Sequence, residues 1–118
     1  MQGRPLIQTA IPKRRYRIGG YVATLLGEIE SKDGRRYRYL LAFVPEGASE
    51  PVLYVCSESS PSAERATGAY RLSLISESLN EFLDCNDRWG EIEPFAEQGL
   101  RLGCQVLGLP EGAISRLL

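Results

Sequence analysis

Residues 21–44, YVATLLGEIESKDGRRYRYLLAFV, set two apolar runs on either side of the polar tetrapeptide Ser31-Lys32-Asp33-Gly34. Two β-rich runs around a short turn sequence read as a β-hairpin. A type I turn closed by a left-handed residue suits the tetrapeptide, because Gly34 takes a positive φ without a Cβ penalty. That three-residue loop pairs Ser31 with Arg35, and counting outward sets Glu30 against Arg36, Ile29 against Tyr37, Glu28 against Arg38, Leu26 against Leu40, Leu25 against Leu41 and Ala23 against Phe43. A two-residue loop would shift the parity and set both glutamates against tyrosines. The longer loop keeps two cross-strand charge pairs, each worth roughly 0.2–1 kcal/mol.

The register sorts the side chains into two faces. One carries Tyr21, Ala23, Leu25, Ile29, Tyr37, Tyr39, Leu41 and Phe43, and the other carries Val22, Thr24, Leu26, Leu40, Ala42 and Val44. Further strands are expected at residues 52–56 (VLYVC) and 70–76 (YRLSLIS), with a short one at 79–84 (LNEFLD). Gly19-Gly20 marks either a tight hairpin, which would make 13–18 a strand, or a bulge. Residues 1–12, with two prolines and no sustained period, read as an extended arm ahead of a single domain over 13–118.

The clearest helix covers residues 93–107. Its polar side holds Glu93, Glu97, Gln98, Arg101 and Gln105, with Cys104 straying toward them, and its apolar side centres on Ala96, Gly99 and Gly103. Two glycines inside a helix cost about 1 kcal/mol each relative to alanine, so a close backbone approach should offset them. The helix's own sheet is the expected neighbour; a helix-to-helix dimer contact is the alternative. The expected architecture is therefore α+β: an antiparallel meander sheet of four to five strands with one C-terminal amphipathic helix packed on one face.

Composition restricts the chemistry. The chain has 118 residues, of which 43% are apolar and 25% charged, as expected of one compact domain. It has no histidine, which removes the usual general base near neutral pH, the Ser-His and Cys-His nucleophile pairs and the commonest metal ligand. Cys56, Cys85 and Cys104 are odd in number and lack a C-x-x-C spacing, which argues against a disulfide framework or a zinc site and for a reducing cytosol. No run approaches the ~20 apolar residues of a membrane span. No phosphate-loop or dinucleotide signature occurs, so no cofactor, no metal and no enzymatic activity is expected.

Charge is unevenly distributed beneath a net value of −1. Residues 1–45 carry nine Lys or Arg against three acids; residues 46–118 carry five Arg against twelve. The paired glutamates answer Arg36 and Arg38, which contracts the unanswered charge to Arg4 in the arm and to Lys13, Arg14, Arg15 and Arg17, which surround Tyr16. Four cations around a tyrosine suit phosphates and a stacked ring, hence nucleic acid or another anion. The leading expectation differs. One helix covers one sheet face, so Val22, Leu26, Leu40, Ala42 and Val44 must be buried by sheet curvature, by the N-terminal arm or by a second copy. A homodimer, in a small cytosolic non-enzymatic binding or regulatory domain acting through protein contacts, is the favoured solution.

Overall fold

A computed structural model describes residues 3–61 and 66–118. Their chain order is β1 (Ile7–Ile18), β2 (Tyr21–Ser31), β3 (Tyr37–Pro45), β4 (Leu53–Ser59), β5 (Tyr70–Ser76), β6 (Asn80–Cys85), a 3-10 turn (Asp87–Gly90), α1 (Ile92–Leu107), a second 3-10 turn (Glu111–Ala113) and β7 (Ile114–Arg116). The strands form one antiparallel sheet in the order β6-β5-β4-β3-β2-β1-β7, with α1 on one face. The α+β meander stands as expected, but the described residues hold seven strands rather than four or five.

Both additions lie at the β1 end of the sheet. Gly19 and Gly20 have φ of 48° and 87°, and Ile18 faces Tyr21 across them, so they make the tight hairpin of the two sequence alternatives. Residues 7–12, expected as an arm, continue β1 and pair with the distal half of β2: Ile7 with Ser31, Thr9 with Glu30, Ile11 with Gly27. Three register irregularities between Ile7 and Arg14 break the alternation that would have announced a strand. The three-residue β7 adds to the far edge of β1, opposite Tyr16–Ile18.

The hairpin register holds from Tyr21↔Pro45 to Leu26↔Leu40 and then ends. Gly34 has the expected left-handed φ of 76°. Beyond Leu26 the strands part, because Glu28 takes a φ of 47° and β3 shifts register against β4 between Tyr37 and Tyr39. The pairs Glu28–Arg38 and Glu30–Arg36 do not form. Glu28 meets Lys13 instead, while Arg38 Nε donates to the Gly90 carbonyl at 3.0 Å and its guanidinium lies over Tyr39. The same irregularities carry Ile29 and Tyr37 to the face opposite Tyr39.

The main core lies between sheet and helix. Ala23, Leu25, Tyr39, Leu41, Phe43, Leu53, Val55, Leu72 and Leu74 meet Phe95, Ala96, Leu100 and Cys104. Gly99 and Gly103 are small for the reason expected from the helix's own sheet: a Cβ on Gly99 would fall 2.9 Å from Leu41 Cδ2, and one on Gly103 would meet the Phe43 ring. Cys104, placed toward the polar side from the helical projection, is buried. Gly108 ends the helix in the left-handed region and its N–H returns to the Cys104 carbonyl.

The second face has its own cover. Leu40, Ala42, Tyr54, Cys56, Ile75 and Tyr37 form a smaller buried cluster, flanked by Ile7, Leu26 and Ile29 from the β1–β2 ribbon. Gly3–Leu6 crosses this face as a strap. Arg4 Nη2 donates to Glu50 Oε2 at 3.1 Å and to the Tyr54 hydroxyl at 3.2 Å, and Pro5 is buried. At its far end the Leu6 carbonyl accepts from the Lys32 N–H at 2.7 Å, and the Leu6 N–H donates to Asp33 Oδ2 at 3.3 Å. Leu40 and Ala42, expected in an oligomer interface, are only 0% and 6% exposed within the single chain. The ribbon and the arm do part of the work assigned to a second copy.

Asp33 fastens the strap to the turn. Burial pushes its carboxyl pKa up, but hydrogen bonds from the Arg35 and Leu6 N–H groups and the Tyr37 and Ser31 hydroxyls outweigh burial and hold it below the usual range. A carboxylate depressed in the folded state stabilises above its unfolded pKa of about 3.9, and that contribution is lost as pH falls through the lower folded value. Asp33→Ala is expected to cost roughly 1–2 kcal/mol at neutral pH. It should also raise the rate at which a thiol reagent modifies Cys56, followed site by site by mass spectrometry. An unchanged Cys56 rate would mean that Asp33 does not hold the strap.

Candidate functional site

The basic segment alternates across β1, so its five residues do not form one patch. Arg14 faces Leu25 and Tyr16 faces Ala23 in the register, which sends both to the helix side; Tyr16 is buried there. Lys13 lies over Gly27 beside Tyr39. Arg15 faces Thr24 and Arg17 faces Val22, on the side away from the helix. Strand geometry, in which successive side chains point to opposite faces, divides what is contiguous in sequence.

Carboxylates divide the segment further. Lys13 pairs with Glu28, and Arg14, whose side chain is 11% exposed, pairs with Glu93 in the first turn of α1. The Glu93 contact drives the Arg14 pKa upward, and the same contact draws the Glu93 pKa down. Arg14 thus pins β1 to the helix. Arg17 Nε lies 3.1 Å from Glu46 Oε1 with both side chains at least half exposed, whereas Arg15 Nε meets the Thr24 hydroxyl at 3.4 Å. A partly hydrated pair of this kind is worth little in stability and exchanges partners readily.

Arg15 and Arg17 share a groove of about 420 Å³ with Val22, Thr24, Val44, Glu46 and Leu117. Its floor is the unstrapped end of the second face: Arg17 faces Val22 across β1–β2, and Val22 faces Val44 across β2–β3. The structure therefore joins two members of the expected cationic set to two members of the expected interface set, Val22 and Val44. Leu26 instead packs beside the strapped cluster. Glu46 and Leu117 escaped the sequence reading, since neither lies in a periodic segment. Leu117 is positioned by its N–H bond to the Arg15 carbonyl at 2.7 Å, a contact set by how the C-terminal segment returns to β1.

The thiols are in a different environment. Burial, with Glu58 adding to it, pushes the Cys56 pKa up to about 12, and burial also raises that of Cys104. Cys85 Sγ is 3.1 Å from the Ser60 hydroxyl and 3.3 Å from the Gly68 carbonyl. Among the described residues no group of three or more His, Cys, Asp or Glu side chains is placed to hold a metal ion, and no helix is long and apolar enough to cross a membrane. Comparison with protein-family models, with curated proteins and with solved structures gives no match for the chain.

Proposed function

We propose that the protein is a small cytosolic, non-enzymatic binding or regulatory domain that acts through protein contacts, and that its groove at Arg15, Arg17, Val22 and Val44 joins two copies into a homodimer. The observation that carries this reading is the self-complementarity of the groove: a cation, an anion and an apolar floor lie side by side, as Arg17, Glu46 and the Val22–Val44 pair. About a two-fold axis, Arg17 of each copy can exchange its Glu46 for that of the other while the valines and Leu117 leave water, which is the i-to-j, j-to-i pairing of an isologous contact. The raised thiol pKa values of Cys56 and Cys104 support a non-catalytic role, because the thiolate is the nucleophile. Three free cysteines suit a reducing cytosol.

Nucleic-acid or anion binding through residues 13–17 is the weaker reading, since Lys13, Arg14 and Arg17 each meet a carboxylate and the segment splits between faces. Sedimentation equilibrium separates the two. The wild-type chain is expected to be dimeric at micromolar concentration, Val44→Glu monomeric, and Arg17→Glu weaker by about tenfold or more, with the Arg17→Glu/Glu46→Arg double variant recovering most of the loss. A wild-type chain that stays monomeric throughout would end the dimer reading. Steeply salt-dependent binding of a nucleic-acid probe, weakened by Arg15→Ala, would favour the other.

A further inference from the structure

A second hollow, of about 180 Å³, opens between the 3-10 turn at Asp87–Gly90 and the Pro94–Arg101 part of α1, lined by Arg88, Trp89, Pro94, Glu97, Gln98 and Arg101. Ion pairs among the described residues engage Arg4, Arg14, Arg17 and Arg35, but neither Arg88 nor Arg101 meets a described carboxylate within 4.0 Å. Two arginines from different elements thus line one concavity together with Glu97, whose carboxylate lies beyond ion-pair distance of both.

Local structure positions Arg88, and the helix carries Arg101 on an exposed position beside it. The Asn86 side chain caps the turn through the Arg88 N–H at 3.0 Å, and the Arg88 guanidinium lies over the Trp89 ring, 5.5 Å from its centre. Stacking restrains the plane of a guanidinium while leaving its N–H edge able to donate. Trp89 is itself buried and spends its indole N–H on Asp84 Oδ2 at 3.0 Å, so it serves as wall rather than donor. Arg101 lies one turn beyond Glu97 on the polar side of α1, and Gln98 lines the same concavity.

We propose that this hollow is a binding site for a phosphate monoester or inorganic phosphate. Two planar donor forks suit an anion with three acceptor oxygens and roughly 1.5–2 negative charges at neutral pH, whereas a single carboxylate would satisfy only one fork. Glu97 sits on the same rim and opposes the anion, so it sets the affinity rather than creating the site. The proposal is independent of dimer formation, since the hollow lies on the helix side and shares no residue with the groove.

Trp89 is the chain's one tryptophan, so emission excited selectively at the indole, away from the six tyrosines, reports on the surroundings of this hollow. Titration with inorganic phosphate, at ionic strength held constant with chloride, is expected to give a saturable change. Arg101→Gln, on an exposed helical position where folding is unaffected, should weaken binding about tenfold, and Glu97→Gln should tighten it about threefold. Arg15→Ala, in the dimer groove, should leave it unchanged. Arg88→Ala should weaken binding too, but it also unstacks Trp89, so Arg101→Gln carries the test. A change that chloride alone reproduces, or that is identical in Arg101→Gln, overturns the proposal.

Discussion

Gly103→Ala is expected to lower the unfolding free energy by about 2–3 kcal/mol, although alanine is the better helix former by about 1 kcal/mol. A Cβ at this position would fall 2.6 Å from both Cε1 and Cε2 of Phe43, well inside van der Waals contact. Phe43 is fully buried toward the end of β3 and its rigid ring meets the added carbon along one whole edge, so helix and sheet must move apart. Overpacking of this kind costs roughly 1–3 kcal/mol and occasionally more, which exceeds the gain in helix propensity. Gly99→Ala should cost less, because its nearest contact is a single terminal methyl, Leu41 Cδ2 at 2.9 Å, rather than the edge of a rigid ring. Gly112→Ala, with nothing within 4 Å, should be close to neutral. Urea denaturation at constant m gives all three values. Partial recovery of Gly103→Ala by Phe43→Leu would place the strain on that ring, and equal costs at Gly99 and Gly103 would contradict the packing described.

The same two glycines show how much of the architecture the sequence discloses. Their place in the centre of an apolar arc anticipates a close approach, and the hairpin arithmetic anticipates six consecutive pairs from Tyr21↔Pro45 to Leu26↔Leu40. These are local regularities, with period 3.6 in one case and period 2 in the other. Reading fails where a strand departs from its period. Glu28 in the left-handed region and the shift between Tyr37 and Tyr39 move Ile29 and Tyr37 to the opposite face, and the one local signal, Gly27 inside the strand, marks an irregularity without giving its direction. β1 is hidden in the same way over residues 7–12, where three irregularities accompany Pro12 on a strand near the sheet edge.

The functional residues were less legible because ion pairing depends on the whole topology. Arg14 meets Glu93 from 79 positions away, and Lys13 meets Glu28 from 15. A net charge summed over residues 1–45 cannot register either contact. Five cations or aromatics in a row invited a single patch, and strand alternation divides them between the helix side and the groove. The hollow at Arg88 and Arg101 was less visible still. Its residues are thirteen positions apart and belong to a short turn and a helix, and only the fold of Gly90–Pro94 brings them to one concavity. The apolar strip was recognised, along with its need for cover. Over Leu26, Leu40 and Ala42 its cover comes from Gly3–Leu6 and the curled β1–β2 ribbon, whose path no periodicity records.

Phe95→Ala is expected to be the most damaging single truncation, at about 4 kcal/mol. The side chain is fully buried in the first turns of α1 and stacks on Tyr39 with ring centres 5.6 Å apart and planes 27° from parallel. Deleting a buried phenylalanine removes its transfer free energy and leaves a cavity, together about 3–5 kcal/mol, and the aromatic pair adds roughly 0.5–1.5 kcal/mol within that range. Collapse around the site is limited. Tyr39 is also restrained by the Arg38 guanidinium 4.7 Å from its ring centre, and Arg38 is tied to the Gly90 carbonyl two residues before the helix. Removing Phe95 therefore loosens the helix start at the point where Arg14 and Glu93 clamp it to β1. The Phe95→Ala chain should show a lower urea midpoint with little change in m, and Phe95→Leu should recover more than half of the loss by refilling the volume. Val106→Ala, at an exposed position of the same helix, should cost less than about 1 kcal/mol. If Phe95→Ala and Val106→Ala were equally mild, the helix would not be seated on this face of the sheet, and the account of the core given by Gly99 and Gly103 would fall with it.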